Sequence, residues 1–91
     1  MMRFTSRKVM ETLATNNVFC YRENTDYQIG IKNEQIAFEN LKTREIAYLG
    51  NTLESVIQLK KLTDEYGKNG QKEAVDKALD QLMHVEVDEW V

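Results

Sequence analysis

The chain contains no proline, one cysteine, one histidine, one tryptophan and only four glycines in 91 residues. A lone cysteine, Cys20, cannot close an intrachain disulfide, and nothing in the chain has zinc-ligand spacing. No stretch approaches the roughly 18 uninterrupted apolar residues that span a bilayer. Residues 1–8 have no apolar signal-peptide core behind them, so the expected location is the cytoplasm. The length fits one small domain, residues 1–91, and excludes a two-domain enzyme.

With proline missing, asparagine does the punctuating. Asn16-Asn17, Asn24, Asn33, Asn40, Asn51 and Asn69 fall between patterned segments. Asparagine tolerates the left-handed region and bonds its own backbone, which suits caps and turns. Between these marks, Val9, Met10, Leu13 and Ala14 recur at helical spacing and predict a helix over 5–15, with Thr5 as N-cap and Phe4 stapled on Val9. Val18-Phe19-Cys20-Tyr21-Arg22 has the β-branched and aromatic content of a strand. Tyr27, Ile29 and Ile31 alternate with Gln28, Gly30 and Lys32, the period of a strand buried on one face. Gly30 inside it predicts a bulge or a close backbone approach. Ile36 and Phe38, then Ile46 and Tyr48, continue the alternation, and 35–49 reads as one hairpin or one long irregular strand. The connections are too short for parallel crossovers, so the middle of the chain is an antiparallel meander.

Asn51 with Glu54 three residues on reads as a capping box, and Gly67 stands where a C-cap glycine belongs, which bounds a helix over 52–66. Its polar stripe of Glu54, Gln58, Lys61 and Glu65 is narrow, and apolar residues occupy most of the remaining girth. A second helix over 71–83 carries Ala74, Val75, Ala78, Leu79, Leu82 and Met83 as its stripe. Beyond His84, Val85, Val87 and Val91 alternate with Glu86, Asp88 and Trp90 as a short strand or an extended acidic tail. The expected fold is α+β: a helix, a three- to four-stranded antiparallel meander, then two helices packed on one face of the sheet.

The net charge of −3 conceals a split: residues 1–22 carry four cations against Glu11, a net +3, and the remaining 69 residues carry −6. Arg3, Arg7, Lys8 and Arg22 form the basic part and would support weak, salt-dependent nucleic-acid binding. The acid elsewhere repels a phosphate backbone and works against that alternative. No catalytic constellation is expected. Cys20 has no base near it in sequence, Ser6 and Ser55 sit in no nucleophile elbow, and 67–72 lacks the Gly-Lys-Ser/Thr ending of a phosphate loop. His84, Glu86 and Asp88 would share a face if extended, yet two exposed carboxylates beside a histidine need no metal. The expectation is no enzyme, no metal and no cofactor.

A protein-interaction or regulatory module is the favoured function. Two features carry it: the wide apolar girth of the 52–66 helix, expected to pair with a second copy through Leu59, Leu62 and Tyr66, and the tail, where Glu86, Asp88 and Glu89 would steer Trp90 to a basic partner. In general style, a short, acidic, asparagine-rich and proline-free domain is similar to accessory proteins encoded by phages and mobile elements, some of which inhibit or redirect host nucleic-acid enzymes. The likeness covers composition and element order and assigns no residue a role.

Overall fold

A computed structural model describes residues 6–21 and 23–84. The first helix, α1, spans Ser6–Thr15 and buries Val9 and Leu13 completely. Thr5 and Phe4, expected to cap and staple it, lie outside the described residues. Asn17 ends the helical path in the left-handed conformation (φ 62°), a region its short polar side chain tolerates.

Residues 18–20 then form a single 3-10 turn rather than the strand their composition predicts. Strand preference mostly measures packing on a pleated surface beside a paired neighbour. Here the turn after Asn17 inserts Val18 into the core and leaves Cys20 exposed, and the segment pairs with no strand. Among the described residues the sheet therefore has three strands.

Those strands are β1 (Tyr27–Lys32), β2 (Gln35–Asn40) and β3 (Ile46–Gly50), antiparallel in the order β1-β2-β3. Asn33 and Glu34 both have positive φ (53° and 61°), the geometry of a two-residue type I′ hairpin turn. The β2–β3 loop is organised by Asn40, whose Oδ1 accepts the N–H groups of Lys42 and Thr43. Residues 35–49 are thus one hairpin. Gly30 pairs with Ala37 in unbroken register and has open space where a Cβ would stand. The irregularity lies instead in β3: Ile36 pairs with Gly50 and Ala37 with Tyr48, which leaves Leu49 as the extra residue.

Helix α2 covers Leu53–Tyr66 and α3 covers Asn69–Met83. Asn51 is not the cap of α2. Thr52 is, with its hydroxyl accepting from the Ser55 N–H while Ser55 Oγ accepts from the Thr52 N–H. Asn51 donates its side-chain amide to the Glu34 carbonyl and holds the α2 entry against the β1–β2 turn. At the other end Gly67 is extended (φ −84°), and a Cβ there would stand 2.7 Å from the Thr63 carbonyl oxygen, so the requirement is space and not a left-handed backbone.

The helices lie on one face of the sheet. Ile29, Ile36 and Phe38 point into the same cluster as Val9 and Leu13 of α1, Val56 and Leu59 of α2, and Val75, Ala78 and Leu82 of α3. Helix α2 packs against both β3 and α3, and α3 packs also against α1. Its buried polar side chains, Thr12, Asn24, Ser55, Thr63 and Gln71, all make hydrogen bonds, as buried polar groups must if they are not to cost stability.

Candidate partner-binding surface

Helix α3 carries two apolar rows. Val75, Ala78 and Leu82, at i, i+3 and i+7, are fully buried. Leu79 and Met83 form the second row, shifted toward α2; Leu79 is half-buried against the core and Met83 is 57% exposed. A groove of about 410 Å³ opens there, lined by Lys60, Asp76, Leu79, Asp80, Met83 and His84.

Carboxylates dominate the rim. Lys60 Nζ reaches across from α2 to Asp76 Oδ1 at 2.9 Å and also holds Asp64 Oδ2 at 3.1 Å. Hydrogen bonds donated to Asp76 and Asp64 raise the Lys60 pKa above its ordinary value, so the ammonium is fixed as a charge. Asp80 sits one turn beyond Asp76, and His84 Nδ1 lies 3.3 Å from Asp80 Oδ1 and 2.8 Å from the Asp80 carbonyl oxygen. The lining carries two carboxylates, Asp76 and Asp80, against the Lys60 ammonium, and Asp64 lies beside it on the far side of Lys60.

A second hollow of about 370 Å³ lies between α1 and the β1–β2 turn, lined by Arg7, Met10, Ile31, Glu34 and Asn51. Arg7 Nε is already 3.0 Å from Glu11 Oε1. Ile31 is half exposed, and Glu34 holds its left-handed backbone beside it.

The residues singled out in the sequence do not form one surface. Leu59 is completely buried, which corrects the expectation that it meets a second copy. The apolar girth of α2 is wider than one sheet face can cover, and α3 packs on a further part of it. Leu62 is half-buried against the core, and Tyr66 is 44% exposed with its ring 5.0 Å from that of Tyr27, which in turn stacks on Phe38 at 5.1 Å. In the basic set, Arg7 is ion-paired at the surface of α1 and Lys8, beside it, is half-buried. Arg3, Arg22, Glu86, Asp88, Glu89 and Trp90 lie outside the described residues. Of the aromatic strand residues, Tyr27 and Phe38 serve the core, while Tyr48 is 47% exposed on the sheet face that carries no helix.

Asp76 and Asp80 carry no site signal in the sequence, and Leu79 and Met83 read there only as part of the α3 stripe. The one signal for them was the width of the α3 stripe: six residues where a single buried row needs three. His84 finds its acidic neighbour one turn back, in Asp80. Among the described residues no three His, Cys, Asp or Glu side chains gather as metal ligands would. No protein-family model, curated protein sequence or solved structure matches the chain.

Proposed function

We propose that the protein is a non-enzymatic interaction or regulatory module that engages a basic partner protein through the acidic-rimmed groove between α2 and α3. The observation that carries this reading is the placement of Met83 and Leu79, accessible apolar side chains bordered by Asp76 and Asp80. Apolar anchors surrounded by charge of one sign are the ordinary construction of a small protein-binding patch. The buried polar groups of the domain are consumed in structural bonds, which supports a binding role over a catalytic one. Glu86, Asp88 and Glu89, with Trp90, follow α3 directly in sequence and carry charge of the same sign. Leu59, the centre of the expected self-association face, is buried within the chain, so the proposed partner is a different protein. A cytoplasmic accessory role of the phage or mobile-element kind forms part of the proposal.

The test is capture of partners from host lysate on the full chain, on a Met83→Glu variant and on a chain lacking residues 85–91. A basic protein retained by the full chain and lost from both variants, with circular dichroism unchanged, supports the reading. Identical retention by all three contradicts it. The competing nucleic-acid function predicts retardation of DNA or RNA at about 50 mM salt, where phosphate contacts are strongest, and loss of that retardation on Arg7→Ala.

A further inference from the structure

Resting on the protein-interaction reading above, we propose that the α2–α3 groove receives one short amphipathic helix of the partner, with a narrow apolar stripe flanked by lysine and arginine. Leu79 and Met83 stand four residues apart on α3 and therefore lie one above the other on the same face. Two apolar anchors at that spacing match the i, i+3 or i+4 anchors of a helix laid along them. The flexible thioether of Met83, 57% exposed, adapts to an aliphatic or aromatic knob without strain.

Charge selects the flanks. Lys60 is already bonded to both Asp64 and Asp76, so it opposes an incoming cation less than a free ammonium would. Asp80 lies along one edge of the apolar row, beyond the Asp76 that Lys60 already holds, and a partner lysine or arginine meets Asp80 as its leucines reach the floor. The groove is also at the C-terminal half of α3, whose helix dipole adds negative potential.

Backbone geometry selects the conformation. Both walls are α-helices, whose interior N–H and C=O groups are consumed within the helix, so the groove offers no ladder for an extended strand. A second copy supplies no such ligand among the described residues. The basic helix α1 carries Arg7 and Lys8, but its apolar residues Val9 and Leu13 are fully buried. A nucleic-acid backbone is repelled by the same carboxylates that attract the helix.

The experiment uses the full chain and labelled synthetic peptides of about 18 residues, long enough to hold helix in water. One has leucines at i, i+3, i+4 and i+7 with lysines elsewhere. A second is the same composition scrambled off a single face, a third is the first interrupted by proline, and the fourth probe is a DNA duplex. Fluorescence anisotropy at about 50 mM salt, where charge is least screened, gives affinity, and amide NMR shifts give the site. The inference expects the amphipathic peptide to bind about tenfold or more tighter than the scrambled and proline-interrupted ones. It expects shifts at Leu79, Asp80 and Met83, and about three- to tenfold weaker binding on Met83→Gln and on Asp80→Asn, both exposed positions. Equal affinity for the scrambled or proline-interrupted peptide at the same site overturns the helical partner and leaves the protein-interaction reading standing. Binding of the duplex alone overturns both. No binding of the amphipathic peptide up to about 1 mM, or binding indifferent to Met83→Gln, overturns the inference.

Discussion

Asn24 and Gln71, 47 residues apart in the sequence, meet in the interior with Asn24 Nδ2 donating to Gln71 Oε1 at 2.7 Å. Asn24 is fully engaged, and Gln71 uses both lone pairs of its oxygen. Asn24 Oδ1 accepts the N–H groups of Asp26 and Tyr27, and its Nδ2 also reaches the Tyr66 carbonyl. Gln71 Oε1 also accepts the Lys68 N–H, and its Nε2 reaches the Tyr27 carbonyl. One amide pair therefore ties the start of β1 to the corner where α2 becomes α3.

Breaking this pair should be costly from either side. Gln71→Leu keeps the volume but strands the Asn24 amide, and Asn24→Ala strands Gln71, so each is expected to cost about 2–3 kcal/mol. The double variant should be less destabilised than the sum by about 1 kcal/mol or more, because the second change removes a group the first left unpartnered. Urea unfolding of the four proteins measures the coupling; strictly additive losses would show that water replaces the missing partner.

Two glycines should respond with opposite signs. At Gly67 an added Cβ meets the Thr63 backbone at 2.7–3.1 Å, so Gly67→Ala is expected to lose about 1–3 kcal/mol by overpacking. At Gly30 nothing lies within 4 Å, and Gly30→Ala should gain about 0.5–1 kcal/mol from the lower entropy of the unfolded chain. Thermal melting of the pair decides it, and a loss at Gly30 would mean that the outer sheet face is less open than the structure shows.

The entry to α2 separates two neighbouring polar residues by role. Thr52→Ala removes the cap bond and should cost about 1 kcal/mol. Asn51→Ala leaves the cap intact and removes only the exposed bond to the Glu34 carbonyl, for a loss of about half that. Chemical denaturation of the two single variants checks the ranking, and a larger loss at Asn51 would return the cap to that residue.

Alkaline pH should weaken the fold. Hydrogen bonds donated to Asp76 and Asp64 raise Lys60, partial desolvation with Glu23 alongside raises Tyr21, and the charge of Glu65 raises Tyr66. In each case the folded chain favours the protonated form more than the unfolded chain does. Stability from these groups is complete below about pH 10, the ordinary range of tyrosine and lysine, and falls as pH rises through the higher folded values. Denaturant midpoints at about pH 7, 9 and 11 follow the fall, which should be shallower in Lys60→Gln; a midpoint that climbs above pH 10 would contradict the assignment.

Much of the architecture was legible because local chemistry and tertiary packing agree. Asn17 and Asn33 adopt left-handed backbones, Asn24 and Asn40 close side-chain turns, and Asn69 opens α3, so asparagine does mark the boundaries in a chain without proline. Alternation placed β1 at its observed ends and β2 at its start, while 35–49 stayed open between one hairpin and one long strand, a choice the Asn40 turn decides. What failed depended on neighbours that a single sequence does not display. Val18–Cys20 has strand chemistry but no strand to pair with, and Leu59 looked like surplus surface until α3 was laid over it. Thr52 and Asn51 are both good caps, and only the path of the chain from β3 chooses between them. The groove was the least legible feature, since Leu79 and Met83 belong to the same stripe as the buried row and lie about 90° from it around the helix.

The packing of α1 against α3 has a consequence for the order of assembly. Asn16 donates to Gln81 Oε1 at 2.9 Å across 65 residues of chain, and Leu13 shares its cluster with Leu82. The β-hairpins and the α2–α3 corner can form from near neighbours, but the first helix has its partner face only once the last one exists. At about 5–20 residues per second of synthesis, α1 waits about 3–13 s with Val9 and Leu13 uncovered. A nascent chain halted before residue 82 would thus carry a sticky leading segment, exposed to chaperones and proteases until its final turn arrives.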